Sequence, residues 1–160
     1  MPLYFAYGSN MNIEAMRLRC PKSRALGRAR LVRHRFFIMS SGHASVQRDP
    51  RMDVHGMLYD LALSDVPALD RYEEIGRGLY TKMIQPVLRV DAAPVRALLY
   101  VGRDRTAGIA RPDYMAEVVA AARAWNLPAA YIAYLETFAT EKALMNDAAS
   151  RRRAVQTKPL

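Results

Sequence analysis

The chain predicts an α+β fold in which a small mixed sheet or barrel is flanked by helices. Three observations predict it. Apolar, aromatic or alternating runs recur along the chain, segments with helical spacing fall between them, and the resulting order, βαββαββαα, lacks the regular βαβ alternation of a doubly wound sheet. The chain has 160 residues, about one domain's worth, and 51% of them are hydrophobic, enough for a core.

The first strand is Leu3–Tyr7, whose aromatic residues suit a pleated sheet. It ends in Gly8-Ser9-Asn10, residue types that tolerate tight turns and bond to nearby backbone. Asn12–Arg19 fits a short helix stopped by Cys20-Pro21. A strand, a polar turn and a helix start together aim backbone N–H groups at one point, which suits a carboxylate or an oxyanion; a plain β-turn is the competing reading. Arg28–Ser40 reads as one or two strands, Gln47–Asp53 with its Pro50 as a loop, and Val54–Leu61 as a strand whose Gly56 marks a bulge or a close backbone contact. Ser64 is the expected cap of a helix running to about Glu74, with Pro67 in its first turn and Gly76 and Gly78 beyond its end. Leu79–Val90 and Val95–Val101 are strands, Gly102–Ala110 a loop, and Pro112–Ala124 and Pro128–Ala139 helices separated by Asn126-Leu127-Pro128. A single domain is expected over 1–145, with a polar, basic tail over 146–160.

Charge and cysteine usage narrow the function classes. Lys and Arg number 24 against 15 Asp and Glu, a net charge of +9. The arginines are scattered, and no aromatic-interleaved basic motif or zinc-finger spacing accompanies them, so a solvated basic face or affinity for anionic small molecules is favoured over specific nucleic-acid binding. No apolar run reaches the roughly 18 residues of a membrane span. The N-terminus lacks a basic segment before its apolar run, so it does not read as a signal peptide. One cysteine, Cys20, makes no internal disulfide or zinc cluster. A cytoplasmic protein is expected; a homodimer is compatible with the sequence.

The densest acidic spot is Asp70-Arg71-Tyr72-Glu73-Glu74. On a helix Asp70 shares a face with Glu73 and Glu74, and the negative helix end together with mutual repulsion is expected to favour their protonated forms. A carboxylate that exchanges protons needs that shift. His34, His43 and His55 have no metal-ligand spacing, and His43 reads as a satisfied loop histidine before it reads as a ligand contact. Ser9 lacks a nucleophile elbow and an assignable His/Asp pair. The phosphate-loop pattern and GxGxxG are absent.

Tyr4-Phe5-Ala6-Tyr7-Gly8-Ser9-Asn10-Met11 resembles the signature of the γ-glutamylcyclotransferases, and Leu69-Asp70-Arg71-Tyr72-Glu73 with Gly78-Leu79-Tyr80 resembles their catalytic-acid segment. Gly42-His43-Ala44-Ser45-Val46, Val54-His55-Gly56-Met57-Leu58-Tyr59, Arg111-Pro112-Asp113-Tyr114 and Asn126-Leu127-Pro128-Ala129-Ala130-Tyr131 follow the family in order, so the likeness covers roughly residues 3–138. The resemblance implies a mixed β-barrel flanked by helices. It implies Glu73 as general acid/base and a loop of Tyr7, Gly8, Ser9 and Asn10 that holds a γ-glutamyl moiety, with Tyr80 and Tyr114 near the cavity. It implies cyclisation of a γ-glutamyl amide to 5-oxoproline with no metal or cofactor, the partner being a small-molecule γ-glutamyl substrate; an inactive carboxylate-binding member is the alternative. One departure stands out: the family's acid is often followed by Gly, and here Glu74 follows it. A shifted turn there would exchange the places of Glu73 and Glu74. Loops such as Gln47–Asp53 and Gly102–Ala110 are expected to shape the leaving-group pocket.

Overall fold

Two long strands dominate the computed structural model, which describes residues 2–111 and 113–139. β2 (Arg24–Ile38) and β3 (Ala44–Asp60) form an antiparallel hairpin. β3 also pairs with the short β1 (Leu3–Ala6), while β4 (Tyr80–Arg89) and β5 (Val95–Gly102) form a second hairpin. The order β1-β3-β2-β4-β5 closes into a barrel. The two closing seams are short: β2 meets β4 at Ala29 opposite Arg89 and Arg30 opposite Leu88, and β1 meets β5, in parallel, at Tyr4 opposite Leu98. The strands α1 (Ile13–Arg19), α2 (Val66–Tyr72) and α3 (Tyr114–Ala124) accompany are thus arranged as a mixed barrel flanked by helices, and a further helix, α4, occupies 129–139. The expected 146–160 tail lies outside the described residues.

Local sequence explains most boundaries. Asn12 caps α1, its Oδ1 accepting from the N–H groups of Glu14 and Ala15. Asn126 takes a left-handed conformation, φ 50°, just past α3, and the Leu127 N–H returns to the Ala122 carbonyl. Phe5, Met16, Leu31, Phe36, Met57, Leu58 and Leu69 are fully buried inside and beneath the barrel.

Three expectations are corrected. Gln47–Asp53 is not a loop but part of β3. Pro50 is accommodated because the ladder shifts register there: Val32 faces Asp53 and His34 faces Arg48, so Pro50 sits where no ladder partner needs its missing N–H. Ser64 does not cap α2. The preceding turn, Leu63–Asp65, is 3-10, and Asp65 Oδ2 accepts from Lys22 N and Ser23 Oγ, which ties the start of α2 to the α1–β2 turn. α2 also ends at Tyr72, earlier than expected.

Candidate active site

The Tyr-Gly-Ser-Asn turn and the end of α2 meet over one end of the barrel. β1 delivers Tyr7 and Gly8; Ser9–Met11 form a 3-10 turn that leads into α1. Across from them α2 stops, Glu73 becomes its C-terminal cap, and Glu74 turns left-handed at φ 50°. That conformation favours Gly, which gives a physical reason for the family's preference at this position. The turn is not shifted: Glu73 points to Asn10, while Glu74 pairs with Arg77 at 2.8 Å.

Between these elements lies a cavity of about 330 Å³. All seven residues marked out by the sequence line it: Glu73, Tyr7, Gly8, Ser9, Asn10, Tyr80 and Tyr114. Their individual placements differ. Asn10 Nδ2 donates to Glu73 Oε1 at 2.9 Å and lies 2.9 Å from Tyr4 Oη, its Oδ1 accepts from Arg19, and its carbonyl accepts from Tyr59 Oη. The Asn10 side chain is therefore committed to protein partners and orients the carboxylate. Ser9 Oγ pairs with Tyr72 Oη at 2.7 Å, and the Arg19 guanidinium stacks 3.3 Å above the Tyr72 ring. Tyr7 Oη donates to the Tyr100 carbonyl at 2.5 Å and Tyr80 Oη to the Ala44 carbonyl at 2.6 Å, so these two rings are walls with spent hydroxyls. Tyr114 differs: its oxygen faces the Ala44 N–H at 3.4 Å as an acceptor, which leaves its own hydrogen to donate. A Cβ on Gly8 would come within 2.7 Å of that oxygen, so only glycine fits under Tyr114.

Burial pushes the Glu73 carboxyl up from its ordinary 4.5 to about 7, against an opposing pull from Arg19. This corrects the expected cause. Asp70 is not a partner in repulsion: its Oδ1 accepts from Tyr100 Oη at 2.6 Å and its Oδ2 pairs with Lys82 at 2.6 Å. Removal from water, not a neighbouring carboxylate, raises Glu73. The tyrosines around it are held in their neutral form, since burial raises Tyr4, Tyr7, Tyr80 and Tyr114 above the ordinary phenol range.

Sequence reading missed Tyr4, Tyr72, Tyr100 and Arg111 on the cavity wall, and it ranked His43 mainly as a loop residue. Tyr4 stood within the signature octapeptide and Tyr72 beside Glu73, so a signal was present for those two. Neither Gln47–Asp53 nor 102–110 lines the cavity; the β2–β3 turn at His43 and Arg111 do. Among the described residues no group of His, Cys, Asp and Glu is arranged to hold a metal ion, and no helix is long and apolar enough to cross a membrane.

A closed mixed barrel with a buried carboxylate opposite a Gly-Ser-Asn turn defines the class, and comparison with known proteins agrees. The AIG2-like family profile matches residues 53–135, and the chain belongs to that family. It is 25% identical to the human γ-glutamylcyclotransferase over 139 residues, which span 81% of this chain and 74% of that protein. A solved γ-glutamyl cyclotransferase superposes with a TM-score of 0.79 at 24% identity, covering 84% of this chain and 86% of the other. A human protein described as uncharacterized superposes with a TM-score of 0.77 at 25% identity, covering 84% and 85%. The resemblance carried by the octapeptide and the Glu73 segment thus extends to a likeness of fold over 84% of the chain.

Proposed function

We propose that the protein cyclises a γ-glutamyl amide to 5-oxoproline and releases the amine. The observation that supports this most is Glu73: a carboxyl buried in the cavity, raised to about 7 and held by Asn10 opposite the Gly8–Asn10 turn. A general base is most effective when its pKa lies near the working pH.

The ionised Glu73 takes a proton from the substrate's α-ammonium. The freed amine attacks the γ-carbonyl carbon of the same molecule, forming the ring N–C bond and a tetrahedral oxyanion. The Gly8-Ser9-Asn10 turn and the Tyr114 hydroxyl, both on the cavity wall, are the candidate donors to that charge, unless the turn holds the substrate's α-carboxylate instead. As the oxyanion collapses, the bond to the leaving nitrogen breaks, Glu73 returns its proton to that nitrogen, and the ring nitrogen gives up its second hydrogen, so that 5-oxoproline keeps one N–H and the amine departs as an ammonium. Water is neither consumed nor required. Because the attack is intramolecular, holding the substrate folded can supply on the order of 7–11 kcal/mol of the barrier, and the carboxylate adds about 10²–10⁴-fold.

Incubating the purified protein with γ-glutamyl amino acids, γ-glutamylamines and glutathione, with mass-spectrometric detection, tests the reading. Release of 5-oxoproline is expected. Glutamate as the product would instead assign hydrolysis.

A further inference from the structure

Two groups on the cavity wall have no part in that proton relay, Arg111 and His43. Their positions are built in. The β2–β3 turn that carries His43 is closed by Gly42 N donating to the Met39 carbonyl and Met39 N to the His43 carbonyl, both at 2.9 Å. Arg111 is docked on the same turn: its N–H donates to the Gly42 carbonyl at 3.2 Å, and a Cβ on Gly42 would come within 2.6 Å of Arg111 Cγ. The His43 ring stands edge-on to Tyr114, centroids 5.6 Å apart.

Arg111 Nη1 lies 3.5 Å from His43 Nε2. A guanidinium only donates, so Nε2 is the accepting nitrogen and the neutral ring carries its hydrogen on Nδ1. Nδ1 is buried and, among the described residues, has no hydrogen-bond partner. Nδ1 is closed off from the cavity, so the part His43 plays there is to accept from Arg111 through Nε2 and hold its guanidinium in place. Among the described residues no carboxylate pairs with Arg111, and Glu74, the second acid on the cavity wall, is engaged with Arg77. The wall here offers a cation, steadied by His43, that has no carboxylate partner among the described residues.

We propose that Arg111 and His43 form a subsite for a carboxylate on the leaving amine, so that they set specificity for γ-glutamyl amides of amino acids over those of simple amines. This rests on the cyclisation reading, which assigns the γ-glutamyl half to Glu73 and the Gly8–Asn10 turn and leaves the remaining cavity to the leaving group.

γ-Glutamylalanine and γ-glutamylethylamine differ by that carboxylate alone and are the two probes. Turnover of each is followed by 5-oxoproline release, and binding of each is measured calorimetrically on Glu73→Gln. The wild type is expected to favour the dipeptide at least about 10-fold. Arg111→Met is expected to cut the ratio of the two kcat/KM values by about 10–100-fold, through KM for the dipeptide; Arg111→Lys recovers part of it, and His43→Leu gives a smaller loss. Melting curves identify variants that fail to fold. An unchanged ratio, or equal weakening of both substrates (the pattern if the pair held the γ-glutamyl carboxylate), overturns the proposal. If the wild type releases no 5-oxoproline, the cyclisation reading fails, and the binding arm still decides: a dipeptide preference lost with Arg111→Met supports the subsite, and no preference overturns it.

Discussion

At the scale of the residue, the role proposed for Glu73 comes at a cost in stability. Its carboxyl is raised from 4.5 to about 7 by burial, so the fold disfavours the ionised form that the proposed proton transfer requires. A group whose pKa rises on folding contributes stability that is full below its unfolded value and lost as pH climbs through the folded one. The protein is therefore expected to lose stability between about pH 4.5 and 7 on account of this residue. Glu73→Gln removes that titration and is expected to be more stable than wild type at pH 8 by about 1–3 kcal/mol, a Tm rise of several degrees by calorimetry. The same variant should release no measurable 5-oxoproline. Wild-type turnover in it would end the assignment of Glu73 as the proton carrier. In the wild type, kcat/KM is expected to rise with pH along a limb centred near 7, as the base form of Glu73 accumulates.

Elements of this fold meet at places with no room for a side chain. A Cβ on Gly56 in β3 would lie 2.2 Å from the Ala6 carbonyl oxygen of β1, which is backbone and cannot swing aside. Gly56→Ala is expected to cost more than about 3 kcal/mol or to prevent folding, read from denaturant titration. The sequence marked Gly56 as a bulge or a close contact; pairing with β1 is what makes it the latter. Glu74 presents the reverse case, a side chain where glycine is easier. Its left-handed backbone, φ 50°, costs more than its exposed pairing with Arg77 returns, so Glu74→Gly is expected to stabilise by about 0.5–1 kcal/mol. Equal or lower stability in that variant would show that the Arg77 pairing outweighs the backbone strain. Pro50 misled the reading of β3 because a proline argues locally against a strand, whereas the register shift that absorbs it exists only in the paired hairpin.

In the whole molecule, stability is distributed unevenly around the barrel. The β2–β3 ladder runs from Arg24 opposite Asp60 to Ile38 opposite Ala44, whereas β4–β5 joins the rest through the two short seams. The β4–β5 hairpin is expected to separate first, so native-state hydrogen exchange should be faster for β4 amides on the side facing β2 than for those of the central β2–β3 ladder. Uniform protection across the two hairpins would contradict this. The candidate cavity spans that division: Glu73 precedes β4, Tyr80 and Tyr100 lie on β4 and β5, and Asn10 and Tyr114 lie outside that hairpin.

The order of elements, the Tyr-Gly-Ser-Asn turn, Glu73 and its departure from the family at Glu74 were all legible in the chain, because capping residues, glycines, periodicity and short motifs act over a few neighbours. The raised pKa of Glu73 was also anticipated, but for the wrong cause. Asp70 is three residues away in sequence and belongs to Lys82 and Tyr100, while Glu73 is shifted by its burial in the folded molecule. The same holds for Arg111 and His43, far apart in the chain and joined only because Gly42 lets one turn dock on the other. Sequence alone determined which residues could carry chemistry, since that is a property of side chains and local backbone. Tertiary structure decided which of them are dry, which are already bonded and which still face the cavity, since desolvation and hydrogen-bond partners are supplied by segments that meet only when the barrel closes.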